Sequence, residues 1–216
     1  MMRKYWAEAV GTAMLLISVI GSGIMGVELA QGNDAITLLA NAIATGCMLY
    51  AIITVLGPIS GAHFNPAVSL AFFLRGEITG GAFAIYVAAQ CAGGIVGVWA
   101  AHLMFDLPVL QVSATMHRTG AAQWFSEALA MLGLLFVIFG GLRSRPDAAP
   151  VLVALYITGA YWFTASTSFA NPAVTLARGF SDTFAGIYPG HIAMFVVVQI
   201  AATLVGHRAL KALLDE

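Results

Sequence analysis

The sequence NPAVSLA at residues 65–71 recurs almost unchanged as NPAVTLA at residues 171–177. Proline is favoured at the first position of a helix, and asparagine is favoured as the cap just before it. Each copy therefore starts an apolar helix, over residues 67–74 in the first case and 173–177 in the second. Because about 20 residues are needed to cross a bilayer, both segments are predicted to be half-helices buried inside a membrane protein.

The composition of the whole chain also predicts a membrane location. The chain has 216 residues, of which 60% are hydrophobic and 9% charged, and its mean hydropathy is +0.90. A soluble domain has about 25% charged residues, so most of this surface must meet lipid. With a net charge of −1, this excludes an ordinary cytosolic enzyme, a nucleic-acid binder and a disordered chain. Cys47 and Cys91 form neither a disulfide framework nor a metal-ligand motif, so we expect no metal and no cofactor.

Six stretches are predicted to cross the hydrocarbon core as helices. They are residues 6–29, 35–57, 83–105, 124–142, 150–165 and 192–207. The fifth is the shortest, and we expect it to continue through residues 166–169. The first is too long for a removable signal peptide. The predicted fold is an all-α membrane protein with six transmembrane helices and two re-entrant half-helices.

The lysines and arginines predict the orientation. With the N-terminus in the cytoplasm, only Arg118 and Arg178 fall on the outside. The basic residues then on the inside are Arg3, Lys4, Arg75, Arg143, Arg145, Arg208 and Lys211. We therefore expect a multi-pass protein of the inner (plasma) membrane with both termini in the cytoplasm.

The duplication extends beyond the two asparagine motifs. Glu8 and Glu127 occupy equivalent places in the first and fourth spans, and Gln90 and Gln199 do so in the third and sixth. The order Glu, Asn-Pro-Ala, Gln thus occurs twice, each time across three spans. This indicates an internal repeat within one channel-like domain.

The two repeats cover residues of about 1–112 and about 120–216. Three spans per copy is an odd number, so the second copy must be inverted in the membrane relative to the first. Inverted repeats with short broken segments are typical of a transport site near the midplane. The half-helices then enter from opposite sides, and their N-termini are predicted to meet at the centre.

The chain resembles the aquaporins, the major intrinsic protein family of water and small-solute channels. The resemblance covers essentially the whole length and includes the stretch ISGAHF at residues 59–64 and the Glu and Gln repeats. It implies six tilted helices plus two half-helices, one pore per subunit in a homotetramer, and water and small neutral solutes as partners. The pore motifs that it implies are Asn65, Pro66, Ala67, Asn171, Pro172 and Ala173.

Elementary electrostatics supports a pore at these motifs. Helix N-termini carry partial positive charge and unpaired N–H groups, so two that face each other disfavour a cation. The amides of Asn65 and Asn171 can donate hydrogen bonds to a passing oxygen, which favours water and neutral hydroxylated solutes. A second interpretation is that each asparagine is only a helix cap, and both roles are compatible.

The buried Glu8 and Glu127 have two interpretations. An ionisable side chain inside a span costs about 2.5–3.5 kcal/mol or more, so it needs a purpose. A proton-coupled carrier would use these residues to carry protons. The preferred interpretation is that each accepts hydrogen bonds from the loop before its half-helix. Gln90 and Gln199 are likewise interpreted as links between helices, and His63 as structural or part of the inner vestibule.

The narrow filter departs from the family pattern. Water-selective aquaporins carry an arginine directly after the second motif, where this chain has Val174. The resemblance places the other filter positions at Thr45, Gly159 and Ser168, all small and uncharged. The predicted filter is therefore wide and free of an aromatic wall.

Two alternatives for the filter stay open. Arg178 lies one helical turn beyond Val174 on the same face, and its guanidinium would either fold back as a substitute cation or lie at the surface, which is simpler. Tyr161, Trp162 and Phe163 would either turn a ring into the opening or pack against lipid and neighbouring helices.

These features favour a passive channel for small uncharged solutes. The filter without arginine resembles a bacterial aquaglyceroporin-like branch associated with arsenic resistance, so arsenite and methylated arsenicals are candidates beside glycerol, urea and water. The alternatives are a water-selective aquaporin, a proton-coupled carrier using Glu8 or Glu127, and a structural junction protein with an occluded pore. No nucleophile–base pair, metal cluster or phosphate loop supports an enzyme.

Overall fold

The computed structural model describes residues 2–214, and in this range all regular structure is helical. The α-helices are α1 (Met2–Ala30), α2 (Asp34–Ser60), α3 (Pro66–Leu74), α4 (Gly80–Met104), α5 (Ala121–Ser144), α6 (Ala149–Phe163), α7 (Pro172–Arg178) and α8 (Pro189–Leu214). A single 3-10 turn, Pro146–Ala148, precedes α6.

Five of these helices, namely α1, α2, α4, α5 and α8, are long and apolar enough to cross a membrane. Helix α6 has 15 residues. Many large apolar side chains on the outer faces are exposed, among them Val55, Leu103 and Val205, as expected for a surface that meets lipid. The all-α membrane fold predicted from the sequence is confirmed.

The end of α6 corrects one expectation. The helix stops at Phe163, and Thr164 is extended, with φ −110° and ψ 137°. The expected continuation through residues 166–169 is therefore wrong. The chain has to leave the helix here because it turns back into the bundle to begin α7. In this turn Thr167, Ser168 and Ala170 all have positive φ, which no continuing helix permits.

Close packing of α1 against α4 depends on two glycines. A Cβ on Gly93 would overlap the backbone of Ala9, and a Cβ on Gly97 would overlap the backbone of Ala13. Only glycine lets two helices approach this closely, and such small-residue contacts are the usual way in which helices associate in lipid. This contact brings α1, which carries Glu8, against α4, which carries Gln90.

The two short helices lie inside this bundle. Both begin at the proline of the repeated motif and are capped by the preceding asparagine in an extended conformation. Asn65 Oδ1 accepts hydrogen bonds from the backbone N–H groups of Ala67 and Val68, at 2.9 and 3.4 Å. Asn171 Oδ1 accepts the equivalent bonds from Ala173 and Val174, at 3.0 and 3.2 Å. The predicted half-helices are thus present.

Candidate functional site

The N-terminal ends of α3 and α7 meet through their two capping asparagines. Asn65 Nδ2 donates to the carbonyl of Ala170 at 2.8 Å, and Asn171 Nδ2 donates to the carbonyl of Phe64 at 2.8 Å. Each side-chain amide carries two N–H donors, so one donor of each remains for another acceptor. The asparagines therefore cap their own helices with Oδ1, tie the two loops together with one N–H, and keep a second N–H available.

Glu8 of α1 fixes the loop that precedes α3. Its Oε1 accepts hydrogen bonds from Ser60 Oγ (2.6 Å) and the backbone N–H of His63 (3.0 Å). Its Oε2 accepts from the backbone N–H of Phe64 (2.7 Å) and from Gln90 Nε2 (2.8 Å). The carboxylate is fully buried, and four donors surround it, so it acts as a fixed acceptor for strained backbone.

Glu127 of α5 does the same for the loop that precedes α7. Its two oxygens accept from the backbone N–H groups of Phe169 and Ala170, each at 2.8 Å. A third bond comes from Gln199 Nε2 at 2.7 Å. These contacts support the interpretation of both glutamates as structural acceptors rather than as proton carriers, since their oxygens are already occupied.

The two glutamines connect these carboxylates to the half-helices. Gln90 Nε2 also donates to Ser69 Oγ of α3, and Gln199 Nε2 donates to Thr175 Oγ1 of α7, both at 3.0 Å. All four side chains are fully buried. Each glutamine therefore links a buried carboxylate to a hydroxyl group of its half-helix.

A cavity of about 440 Å³ runs past the meeting point of α3 and α7. At one end, called here the Asp147 end, it is bordered by Pro146 and Asp147; at the other, the Arg178 end, by Tyr161 and Arg178. Asn65 and Asn171 lie on its wall, whereas neither structural glutamate does. The wall is mostly apolar, with a few convergent polar groups, which is the usual character of a small-molecule site.

Three of the four filter positions expected from the sequence lie on this wall: Thr45, Ser168 and Val174. Gly159 does not. Helix α6 faces the cavity with Pro150, Val153, Ile157 and Tyr161, a spacing of three and four residues that marks one helix face. Gly159 lies two residues from Ile157, on the opposite and exposed side. Its assignment to the filter is wrong because the register on α6 differs from the expected one.

Tyr161 takes the place expected for that glycine. Its side chain is only 4% exposed, and its hydroxyl lies 3.3 Å from Thr45 Oγ1 across the cavity. Trp162 and Phe163 are instead exposed on the outer face. Tyr161 therefore turns its ring into the opening, whereas Trp162 and Phe163 lie on the surface that meets lipid. The expectation of an opening without an aromatic wall is wrong.

Arg178 also reaches the cavity. The residue is 2% exposed, its Nε donates to the carbonyl of Ala185, and its Cζ lies 3.4 Å from the centroid of the Phe169 ring. It follows Val174 by one turn, so both point to the same wall. The simpler interpretation from the sequence, in which the Arg178 side chain lies at the surface, is wrong. The guanidinium instead folds back toward the cavity.

The connector between α4 and α5 is hydrogen-bonded to the loop after α7, beside the Arg178 end. Arg118 in this connector donates from Nε to the carbonyl of Gly186 (2.9 Å) and from Nη2 to that of Phe184 (3.1 Å). Burial lowers the pKa of Arg118. Sequence reasoning treated Arg118 only as an outside charge, and nothing in its local sequence shows these partners, because they lie in a distant loop.

Asp182 fixes the same connector from the loop after α7. Its Oδ1 accepts from the backbone N–H groups of Ala114 and Thr115, both at 2.9 Å, and from Thr115 Oγ1 at 2.8 Å. These hydrogen bonds lower the pKa of Asp182. Within residues 2–214, no group of three or more His, Cys, Asp or Glu side chains is arranged to hold a metal ion.

Comparison with known proteins gives a consistent result. The family model described as "Major intrinsic protein" matches residues 1–161. An aquaglyceroporin, AqpS of Rhizobium meliloti (strain 1021), is 53% identical over 213 residues, which are 99% of this chain and 91% of the relative. Aquaporin Z of Bradyrhizobium diazoefficiens is 30% identical over 171 residues, covering 71% of this chain and 69% of the relative.

The fold also matches a solved structure. The crystal structure of the aquaglyceroporin from Plasmodium falciparum superposes with a TM-score of 0.80, covering 99% of this chain and 97% of that one. Sequence identity in this pair is 17%, so the match concerns the fold alone.

Proposed function

The chain belongs to the major intrinsic protein family, a family of channels rather than enzymes, and we propose that it conducts small uncharged polar solutes, with water, through the cavity between α3 and α7. The observation that carries this proposal is the pair of amides, Asn65 and Asn171, on the wall of a cavity that is otherwise mainly apolar. A neutral hydroxylated solute gains hydrogen bonds there. A cation loses hydration and meets two helix N-termini.

The solute class follows from the constriction. Val174 replaces the arginine of the water-selective pattern, and Thr45 and Ser168 are small. We propose that a solute larger than water passes between them once the Tyr161 ring, which contacts Thr45, moves aside. The AqpS relative is named an aquaglyceroporin, which favours polyols. We propose glycerol and urea as substrates, and arsenite and methylated arsenicals as further ones because they are small hydroxylated species.

The position in the cell is part of the same proposal. We infer an inner-membrane homotetramer with one pore per subunit and with both termini in the cytoplasm. The bias of Lys and Arg toward the loops on the terminal side supports this orientation. The Arg178 end of the cavity then faces outward.

A stopped-flow panel in proteoliposomes tests the proposal. The native chain should pass glycerol, urea and arsenite as well as water. Val174→Arg should reduce the flux of these larger solutes by about tenfold, more than that of water, because a long charged side chain narrows the constriction. Val174→Leu adds volume without charge and is the matched control. Equal effects on every solute would place Val174 outside the constriction.

A water-selective channel is a second candidate, and the contact of Tyr161 with Thr45 favours it. If that contact sets the width, the native chain passes water alone. Tyr161→Ala should then admit glycerol, whereas Tyr161→Phe keeps the ring and removes only the hydroxyl. Glycerol flux through the native chain that Tyr161→Ala leaves unchanged would rule this candidate out.

A further inference from the structure

Two cations, the buried Arg178 and the partly buried Arg118, lie over one aromatic ring at the Arg178 end of the cavity. The guanidinium Cζ of Arg178 is 3.4 Å from the centroid of the Phe169 ring, and that of Arg118 is 5.2 Å from it. Their separation cannot exceed the sum of these distances, which is close to one Debye length at physiological salt. The two charges therefore act on the same part of the passage.

Backbone carbonyls, rather than carboxylates, hold both cations. The acceptors are three consecutive carbonyls: Phe184 and Gly186 for Arg118, and Ala185 for Arg178. Within residues 2–214, neither guanidinium forms an ion pair with a carboxylate. Carbonyls satisfy N–H donors but do not cancel a full charge. Glu127 attracts both charges without contacting either, so the positive charge at this end is only partly compensated.

Arg178 presents this charge to the passage itself. It lies on the cavity wall one turn beyond Val174, on the same face of α7. In that part of the chain which the structure describes, its terminal nitrogens have no protein acceptor, so they are free to donate to oxygens in the cavity. A neutral solute meets additional donors at this place, whereas a small cation meets like charge in a partly desolvated site.

We propose that Arg178 is a specificity-determining residue that excludes cations in place of the charge missing at Val174. Its guanidinium is held over the Phe169 ring, and the like charge of Arg118 adds to the repulsion that an entering cation meets. The charge comes from the residue one turn beyond Val174 on α7, so Thr45 and Val174 at the constriction are themselves uncharged. This inference rests on the proposed channel function.

Paired flux measurements in proteoliposomes test the barrier. Sodium entry is followed with a trapped fluorescent indicator, and glycerol flux is followed in the same vesicles by stopped-flow light scattering. Arg178→Gln should raise sodium entry by about tenfold or more over the native chain, and the ratio of sodium entry to glycerol flux should rise by a similar factor. Arg178→Lys keeps the charge and should exclude sodium as the native chain does.

Moving the cation back provides a rescue. Adding Val174→Arg to Arg178→Gln restores a charge on the same wall and should suppress sodium entry again, now with reduced glycerol flux. A folded Arg178→Gln protein that passes glycerol and excludes sodium as fully as the native chain would overturn the proposal. Absence of glycerol flux in the native chain would instead contradict the proposed function. Sodium entry in Arg178→Gln and in the native chain would then be compared with water flux in the same vesicles, and equal sodium entry in both would still overturn the barrier.

Arg118→Gln gives a second measurement if Arg178→Gln fails to fold. It removes the supporting charge without altering α7, and should raise sodium entry by a smaller factor of about two to five. Unchanged sodium entry in that variant would likewise count against the barrier.

Discussion

The half-helices α3 and α7 share one construction. In each, an asparagine caps the helix and a buried glutamate accepts two backbone N–H bonds from the preceding loop. A glutamine then links that glutamate to a hydroxyl group on the half-helix, Ser69 in α3 and Thr175 in α7. Even the unusual backbone repeats, since Ala62 and Phe64 before α3 and Ser168 and Ala170 before α7 all have positive φ.

The two regions differ one turn beyond their shared valine. In α3 this position is Phe72, which stacks on His63 with ring centroids 4.4 Å apart. In α7 it is Arg178, which lies over Phe169. His63 and Phe169 hold equivalent places, each two residues before its asparagine. The duplicated backbone thus places a stacked pair at each end of the passage, His63 with Phe72 and Phe169 with Arg178. Both positions differ between the pairs, and the arginine in place of Phe72 makes its end cationic.

The largest expected effect comes from breaking the shared support. Glu127→Ala leaves the N–H groups of Phe169 and Ala170 and the amide of Gln199 without an acceptor, at about 1–3 kcal/mol for each buried donor. We expect the free energy of unfolding to fall by about 3–5 kcal/mol. Glu8→Ala should cost at least as much, because Glu8 serves four donors.

Thermal unfolding of the detergent-purified proteins measures the stability lost in Glu127→Ala and Glu8→Ala. Glu28→Ala, on the exposed last turn of α1, is the matched control and should leave the unfolding temperature nearly unchanged. A loss confined to one of the two buried glutamates would show that the halves are not supported alike.

The sequence predicts much of this shared support, because a helix cap is a local signal. The asparagine and proline of each motif mark the helix start, and the repeated spacing of Glu8 and Glu127 identifies the carboxylates. The end of α6 was beyond reach, because the turn after Phe163 uses left-handed Thr167 and Ser168, and no glycine there predicts it.

The positions of the side chains that border the Arg178 end could not be predicted from the sequence either. The position of Arg178 depends on a loop carbonyl at Ala185, and the path of that loop is not encoded in a local pattern. The sequence therefore presented Arg178 and Tyr161 only as alternatives.

A smaller effect distinguishes the loops before the two half-helices. The first left-handed residue is glycine before α3, Gly61 with φ 86°, but threonine before α7, Thr167 with φ 63°. A left-handed conformation costs an L-residue about 1–2 kcal/mol. Glycine avoids this cost, but it loses more conformational entropy on folding, which lowers the stability by about 0.5–1 kcal/mol. Thr167→Gly should therefore raise the free energy of unfolding by about 0.5–1 kcal/mol.

The reverse change, Gly61→Thr, should lower the free energy of unfolding by about 0.5–1 kcal/mol through the backbone. The crowding of its Cβ, which would lie 3.3 Å from His63 Nε2, should lower it further. Denaturant titration of the two variants against the native chain gives both values. Destabilisation by Thr167→Gly would mean that the threonine side chain contributes more than its backbone strain costs.

The smallest expected effect concerns the connector between α4 and α5, which is hydrogen-bonded to the loop after α7. There Asp182 accepts three hydrogen bonds from Ala114 and Thr115, and these hold its pKa below the ordinary value of 3.8. A carboxylate whose pKa is lower in the folded state stabilises the fold fully above its unfolded pKa, and this contribution disappears as the pH falls through the folded pKa. The native chain should therefore lose stability below pH 3.8 in a way that Asp182→Asn does not.

Because Asp182 is near the surface, the difference in unfolding temperature between the native chain and Asp182→Asn should be only about 1–2 °C at neutral pH. It should be constant from pH 6 to 8 and vanish in strong acid. Thr115→Val removes the hydroxyl donor but keeps both backbone donors, so it should reduce the pH dependence only in part. A difference that persists unchanged into strong acid would show that the ionised carboxylate contributes nothing. The connector would then be held by Arg118 and its carbonyl acceptors, together with the backbone hydrogen bonds from Ser113 to Gly179 and from Tyr188 to Met116.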